Sequence, residues 1–225
     1  MSALSNFQLA MGLAMAALVA EGFRHTVGEN LLHPAWPRPA VLYVHALVAT
    51  AWIPLLLLQA GLVRAGRVDL HRRVAAWGVV HAALIPALGL ATAVAMAHAR
   101  LAHGEDDAAV SFPIPVNDAL AFSVSIGLAL AWRRRPEFHR RLVFVASCVL
   151  MAPAFGRMPA LDHAEWFYAG VDALVVLGAL RDRLACGHVH PVYRVALPAL
   201  VAAQATTAAV RWSPWWLAHA AALFR

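Results

Sequence analysis

The chain has 225 residues, 62% of them hydrophobic and 13% charged, with a mean hydropathy of +0.66, against about a quarter of charged residues in soluble domains. That composition excludes an ordinary soluble domain and points to a membrane protein. All 18 basic side chains are arginine, giving a formal charge of +6, but they form no stripe interleaved with aromatics, so a nucleic-acid surface is excluded too.

A bilayer core needs about 20 mostly apolar residues per helix. Seven stretches fit in chain order: 4–22, 39–63, 74–99, 117–133, 140–157, 165–181 and 193–211. The first lacks the positive n-region of a signal peptide and is read as a helix. The tail "RWSPWWLAHAAALFR" is too short to span, and Trp212, Trp215 and Trp216 predict an interfacial helix over 212–225. The expected fold is an all-α integral membrane bundle of about seven helices, one domain over 1–225.

Loop charge predicts the orientation. Arg64, Arg67, Arg72, Arg73, Arg133, Arg134, Arg135, Arg140, Arg141, Arg181, Arg183 and Arg194 fall on one side. The other side has Arg24, Arg38, Arg100, Arg157, Arg211 and Arg225, with the acidic patch Glu105, Asp106 and Asp107. The positive-inside rule then puts the N-terminus and the first, richer set in the cytoplasm, within reach of anionic headgroups, and the C-terminus outside. Arg64, Arg67, Arg72, Arg73, Arg133, Arg134, Arg135, Arg140 and Arg141 are the expected lipid contacts, and the location implied is a bacterial inner membrane.

The motif His-Arg-Arg occurs twice, in "DLHRRVAAWG" and "EFHRRLVFVA". Each copy opens a helix after an apolar one, so 39–99 and 117–157 read as two copies of a helical hairpin.

Polar residues inside apolar runs are the candidates for function. His45, Trp52 and Gln59 are spaced seven and seven, on one stripe of their helix. Trp77 and His81 share a face, as do His139 and Arg157, eighteen residues apart. By depth, His71, His139, His188 and His190 gather near the inner surface with Gln59, and His81 lies about two turns deeper. His45, Asp118, Arg157 and Asp172 lie near the outer surface, with His98 and His163 at the margin. Imidazoles on separate helices suit axial ligation of haem b, a copper ion or a quinone headgroup. His45, His71, His81, His139, His190 and Gln59 are the cofactor-binding candidates, and His71, His139 and His190 the metal-ligand set. Asp172 and Arg157 are a proton-handling or salt-bridging pair. Against these stand structural roles: interface anchoring for the arginines, interhelical hydrogen bonds for His45, Gln59 and Asp172, packing for Trp52 and Trp77. Only Cys148 and Cys186 occur, with no CxxC, so a disulfide framework and c-type haem are unsupported, as are GxSxG, HExxH and P-loop chemistries.

The segments "HALVATAWIPLLLLQAGLVRAGRVDLHRRVAAWG", "RRRPEFHRRLVFVAS", "FGRM" and "GHVHPVY" resemble a widespread group of uncharacterised bacterial polytopic membrane proteins with an H…W…Q helix, two HRR motifs and an HP motif. The matches run from His45 to Pro191. A more distant similarity is to small His-containing membrane proteins of cytochrome oxidase maturation. The resemblance implies the fold and, by analogy, a redox or oxidase-maturation role. The alternatives are a proton or small-solute transporter or sensor, and a non-catalytic subunit of a membrane complex.

Overall fold

The computed structural model describes residues 3–24, 26–105, 107–159 and 166–224. Asp106 of the acidic patch, His163 and Arg225 lie outside the described residues. The long helices are α1 (Ala3–Arg24), α2 (Ala40–Arg64) and α3 (Val68–Ala102), then, after the four-residue α4 (Asp107–Val110), α5 (Pro113–Ala131) and α6 (Pro136–Val149). The short α7 (Ala152–Phe155) leads to α8 (Phe167–Cys186), α9 (Pro191–Arg211) and α10 (Pro214–His219), which runs into a 3-10 turn. No strand occurs among the described residues, so the class is all-α.

Local chemistry sets the helix limits. Pro113, Pro136, Pro191 and Pro214 open α5, α6, α9 and α10, where a missing N–H costs nothing and φ is already helical. Gly187 ends α8 in the left-handed region at φ 76°, and Gly66 at φ 73° turns the chain between α2 and α3. That tight turn lets α3 start at Val68, earlier than the expected 74, so the first His-Arg-Arg lies in the helix and not in the loop before it. The second lies at the start of α6. The expected helix over 140–157 is instead broken after Val149, because Pro153 has no N–H for a carbonyl four residues back and its ring crowds it.

Among the described residues, five stretches are long and apolar enough to cross a membrane: Asn6–Arg24, Ala40–Arg64, Val68–Ala102, Ala108–Ala131 and Pro136–Phe155. Helix α8 falls outside that set because Asp172, Arg181, Asp182 and Arg183 interrupt it, and α9 because Arg194, Gln204, Thr206 and Thr207 dilute it.

Helix α6 is the enclosed one, with Phe144, Val145, Ser147 and Cys148 fully buried; it packs on α5, α8 and α9. Helices α2 and α3 form a hairpin that joins the rest through α5 and α1, and most of their apolar surface faces outward, Trp77 and Leu47 included. Small residues permit the close approaches: a Cβ on Gly178 would stand 2.6 Å from Phe144, and one on Gly22 2.3 Å from the Ala154 carbonyl oxygen. The C-terminal α10 folds back on α3 and α4. Trp216 is buried there and donates to the Val110 carbonyl (3.0 Å), while Trp212 and Trp215 stay exposed.

Candidate functional site

The α2 stripe becomes a seam between α2 and α3. At the arginine-rich end, Gln59 meets the first turns of α3. In the amide orientation that satisfies both of its ends, its nitrogen donates to His71 Nδ1 (2.7 Å) and its oxygen accepts from the Ala75 N–H (3.0 Å). One step of seven residues along α2, about 10 Å, Trp52 donates through Nε1 to Ser147 Oγ of α6 (3.1 Å), and Ser147 donates to the Val143 carbonyl (2.8 Å). The Trp52 ring lies 6.0 Å from His81 of α3 and 5.4 Å, edge to face, from Phe122 of α5. A further seven residues on, His45 faces Gly89, where a Cβ would stand 3.5 Å from the imidazole, and Arg157 is close enough to interact with it electrostatically.

Two ring nitrogens on this seam, His45 Nδ1 and His81 Nε2, are shut off from solvent and have no hydrogen-bond partner among the described residues. Trp77, expected beside His81, points outward instead and is 78% exposed, whereas Trp52 is 5% exposed.

The second His-Arg-Arg is built differently. His139 donates from Nδ1 to the Ala129 carbonyl at the end of α5 (2.9 Å). Arg141, expected at lipid headgroups, is 4% exposed and forks onto Asp182 of α8 through Nε (2.6 Å) and Nη2 (3.0 Å). Its Nη1 donates to the Glu137 carboxylate (2.7 Å) and carbonyl (2.8 Å), Arg140 also pairs with Glu137, and Arg181 reaches Asp182 at 3.1 Å. Burial of Arg141 costs several kcal/mol in desolvation, which is why the fork and the extra acceptors accompany it.

His190 is the N-cap of α9: its Nδ1 accepts the Val192 N–H (3.2 Å) and its ring packs edge-on to Phe138. Burial, and next the nearby Arg141, hold its pKa below the ordinary value, against weaker pulls from Asp182 and Glu137.

His71, His139 and His190 do not come together as a metal centre, since no group of three His, Cys, Asp or Glu could hold an ion among the described residues. Hydrogen bonding gives the reason. His71 and His190 both accept at Nδ1, so a neutral ring carries its proton on Nε2 and offers no lone pair there. The residues present therefore do not fit a copper site built on His71, His139 and His190. Comparison with protein-family models, curated proteins and solved structures finds no match.

Away from the seam, Asp172 and Arg157 are not paired. Asp172 accepts from Gln204 of α9 (3.0 Å), while Arg157 donates to the Pro153 carbonyl (2.6 Å) and covers the Phe23 ring at 4.4 Å. The break after Val149 removes the common helix face that was to join His139 and Arg157. Asp118 accepts from Tyr168 (2.9 Å) and Asn117 (3.2 Å). His98 donates to the Phe224 carbonyl (2.6 Å), tying the chain's end to α3.

Asp182, Ser147 and the Ala129 carbonyl hold positions that helix spacing and depth do not mark. Asp182 had a signal, as a lone acid between Arg181 and Arg183. A backbone carbonyl has none.

Proposed function

We propose that the chain is a polytopic protein of a bacterial cytoplasmic membrane whose α2–α3 seam handles protons, in proton-coupled transport or in sensing. Insertion is supported by the outward apolar faces of α2 and α3. Between Arg73 and Arg100 helix α3 rises about 40 Å, close to the bilayer thickness with its interfaces. Helices α8 and α9, 20 and 21 residues long, complete seven crossings in this reading. The N-terminus and the arginine-rich end then face the cytoplasm, where Arg64, Arg67, Arg72, Arg73, Arg133, Arg134, Arg135 and Arg140 meet anionic headgroups. Trp212 and Trp215 anchor the C-terminal helix at the outer interface.

The observation that carries the reading is the pair of unpartnered nitrogens on His45 and His81. A buried polar atom without a partner costs about 1–3 kcal/mol, and the cost is relieved when water bridges it. Titratable rings spaced through the membrane and joined by water are what a proton path needs. In liposomes holding a pH-sensitive dye, the wild-type protein is expected to pass protons down an imposed gradient. His45→Gln and His81→Gln are expected to lose most of that flux. Unchanged flux in both variants would overturn the reading.

A redox role keeps one observation, the His139 Nε2 lone pair left free by the Ala129 bond, which suits a quinol hydroxyl. It expects saturable quinone binding that His139→Gln abolishes. A reduced-minus-oxidised spectrum with a haem band would revive metal ligation and displace the proton reading.

A further inference from the structure

The starts of α1, α6 and α9 and the end of α8 meet at the arginine-rich end of the bundle, over an aromatic floor. Phe144 of α6 lies 5.6 Å, ring to ring, from Phe7 of α1 and 6.4 Å from Tyr193 of α9. Tyr193 is 3% exposed, and its hydroxyl sits over Gly178 of α8, where a Cβ would stand 2.8 Å from it. Arg181 and Asp182 follow Gly178 by three and four residues, so one face of α8 carries all three. From that face Arg181 covers the Phe7 ring at 5.6 Å and reaches Asp182 at 3.1 Å. Between these walls is a half-open cavity lined by Arg140, Arg141, Arg181 and Asp182, with Gln8 of α1 and Tyr193. It has room for one water-sized centre, about 10 Å³, within about 190 Å³ of free space that includes its mouth. Arg140 and Arg181, with side chains 26% and 14% exposed, are its outer residues, and Tyr193 is an inner one.

The cavity has more donors than acceptors. Arg140 gives Nη2 to Glu137 and Arg181 gives Nη1 to Asp182. Among the described residues no protein acceptor takes their remaining N–H groups, the Tyr193 hydroxyl or the Gln8 amide. Both Asp182 oxygens are already engaged by Arg141 and Arg181. Three guanidiniums against Asp182 and Glu137 leave one positive charge in excess. The spare donors come from four helices and so approach the cavity from several sides. A tetrahedral oxyanion accepts in several directions, whereas a carboxylate holds its two oxygens in one plane, and guanidinium forks suit phosphate. We propose that this cavity binds a phosphate group, carried either by an anionic lipid headgroup or by soluble phosphate. One P–O⁻ oxygen enters beside Tyr193, and Arg140 and Arg181 hold the oxygens at the mouth. The site lies apart from the α2–α3 seam and does not rest on the proton reading.

The test uses the purified full-length protein in detergent with four probes: dioleoylphosphatidylglycerol; dioleoylglycerol, with the same chains and no phosphate; inorganic phosphate; and acetate at equal ionic strength. Native mass spectrometry and thermal unfolding read the binding. A saturable site is expected for phosphatidylglycerol, inorganic phosphate or both, with no protection by dioleoylglycerol or acetate. Arg181→Gln and Tyr193→Phe are each expected to weaken binding about tenfold, the effect of losing one hydrogen bond to a charged acceptor. The exposed Arg134→Gln is expected to leave it unchanged. Tyr193→Phe keeps the ring against Phe144, so its loss of binding is separable from a loss of fold. Protection by inorganic phosphate identifies a soluble ligand; protection by phosphatidylglycerol alone identifies a lipid. Equal protection by acetate, the lack of any saturable site, or unchanged affinity in both site variants overturns the proposal.

Discussion

Arg141 and Asp182 are joined by a two-point fork of 2.6 and 3.0 Å, with 4% and 3% of their side chains exposed. The pair ties the start of α6 to the end of α8, and removing one partner strips the other, still buried, of its two-point fork, leaving only Glu137 to Arg141 or Arg181 to Asp182. Arg141→Ala or Asp182→Ala is expected to cost about 3–5 kcal/mol, read as unfolding in detergent. The exposed Arg72→Ala is expected to cost less than about 1 kcal/mol. A joint Arg141→Met, Asp182→Leu change is expected to recover part of the loss, because apolar groups replace the two most buried charges while Arg181 and Glu137, which lose a partner, are more exposed.

Trp52 and Ser147 link α2 to α6. Ser147→Ala leaves the Trp52 N–H buried without a partner and is expected to cost about 1–3 kcal/mol. Trp52→Phe with Ser147→Ala removes both ends of the bond. A double-mutant cycle on unfolding free energies should show coupling of roughly 1 kcal/mol; additive losses would mean the bond contributes nothing.

Two glycines should respond oppositely to alanine. A Cβ on Gly22 meets the Ala154 carbonyl at 2.3 Å, and backbone has little room to yield, whereas a Cβ on Gly61 meets nothing within 4 Å. Gly22→Ala is expected to lower the unfolding temperature. Gly61→Ala is expected to leave it unchanged or raise stability by about 0.5 kcal/mol, through backbone entropy.

His190 should make stability depend on pH. Its folded pKa lies below 6.5, so between the folded value and 6.5 the unfolded chain binds more protons, and stability rises with pH there. It is therefore lost as pH falls below about 6.5, in step with loss of the Nδ1 acceptor that caps α9. His190→Asn keeps a cap but does not titrate. Its unfolding temperature is expected to fall less on acidification than the wild type's; parallel curves would contradict the assignment.

The proposed orientation makes a labelling contrast. Cys148 is buried and Cys186 is exposed at the arginine-rich end of α8. A membrane-impermeant maleimide is expected to label inverted vesicles at Cys186 and to leave right-side-out vesicles unlabelled. The opposite pattern would reverse the topology.

Much of the fold was legible because apolar runs of about 20 residues admit few alternatives to a helix. The stripe of His45, Trp52 and Gln59 was legible for a related reason: seven-residue spacing fixes a helix face whatever the neighbours are. What that face would meet was not legible. Ser147 for Trp52 and Gly89 for His45 lie on other helices, and sequence spacing within one helix says nothing about them.

The sequence by itself determined the all-α class, the apolar stretches, the clustering of arginines and the repeat of His-Arg-Arg, since these depend on composition and local periodicity. Only the tertiary structure decided that the two copies differ. Arg141 is drawn inward because α8 brings Asp182 within 3 Å of it, while the Arg72 side chain remains at the surface. His71 and His139 take opposite tautomers because one helix end offers an amide N–H and the other a carbonyl. A ring's proton follows its nearest partner, and partners from other helices are set by packing.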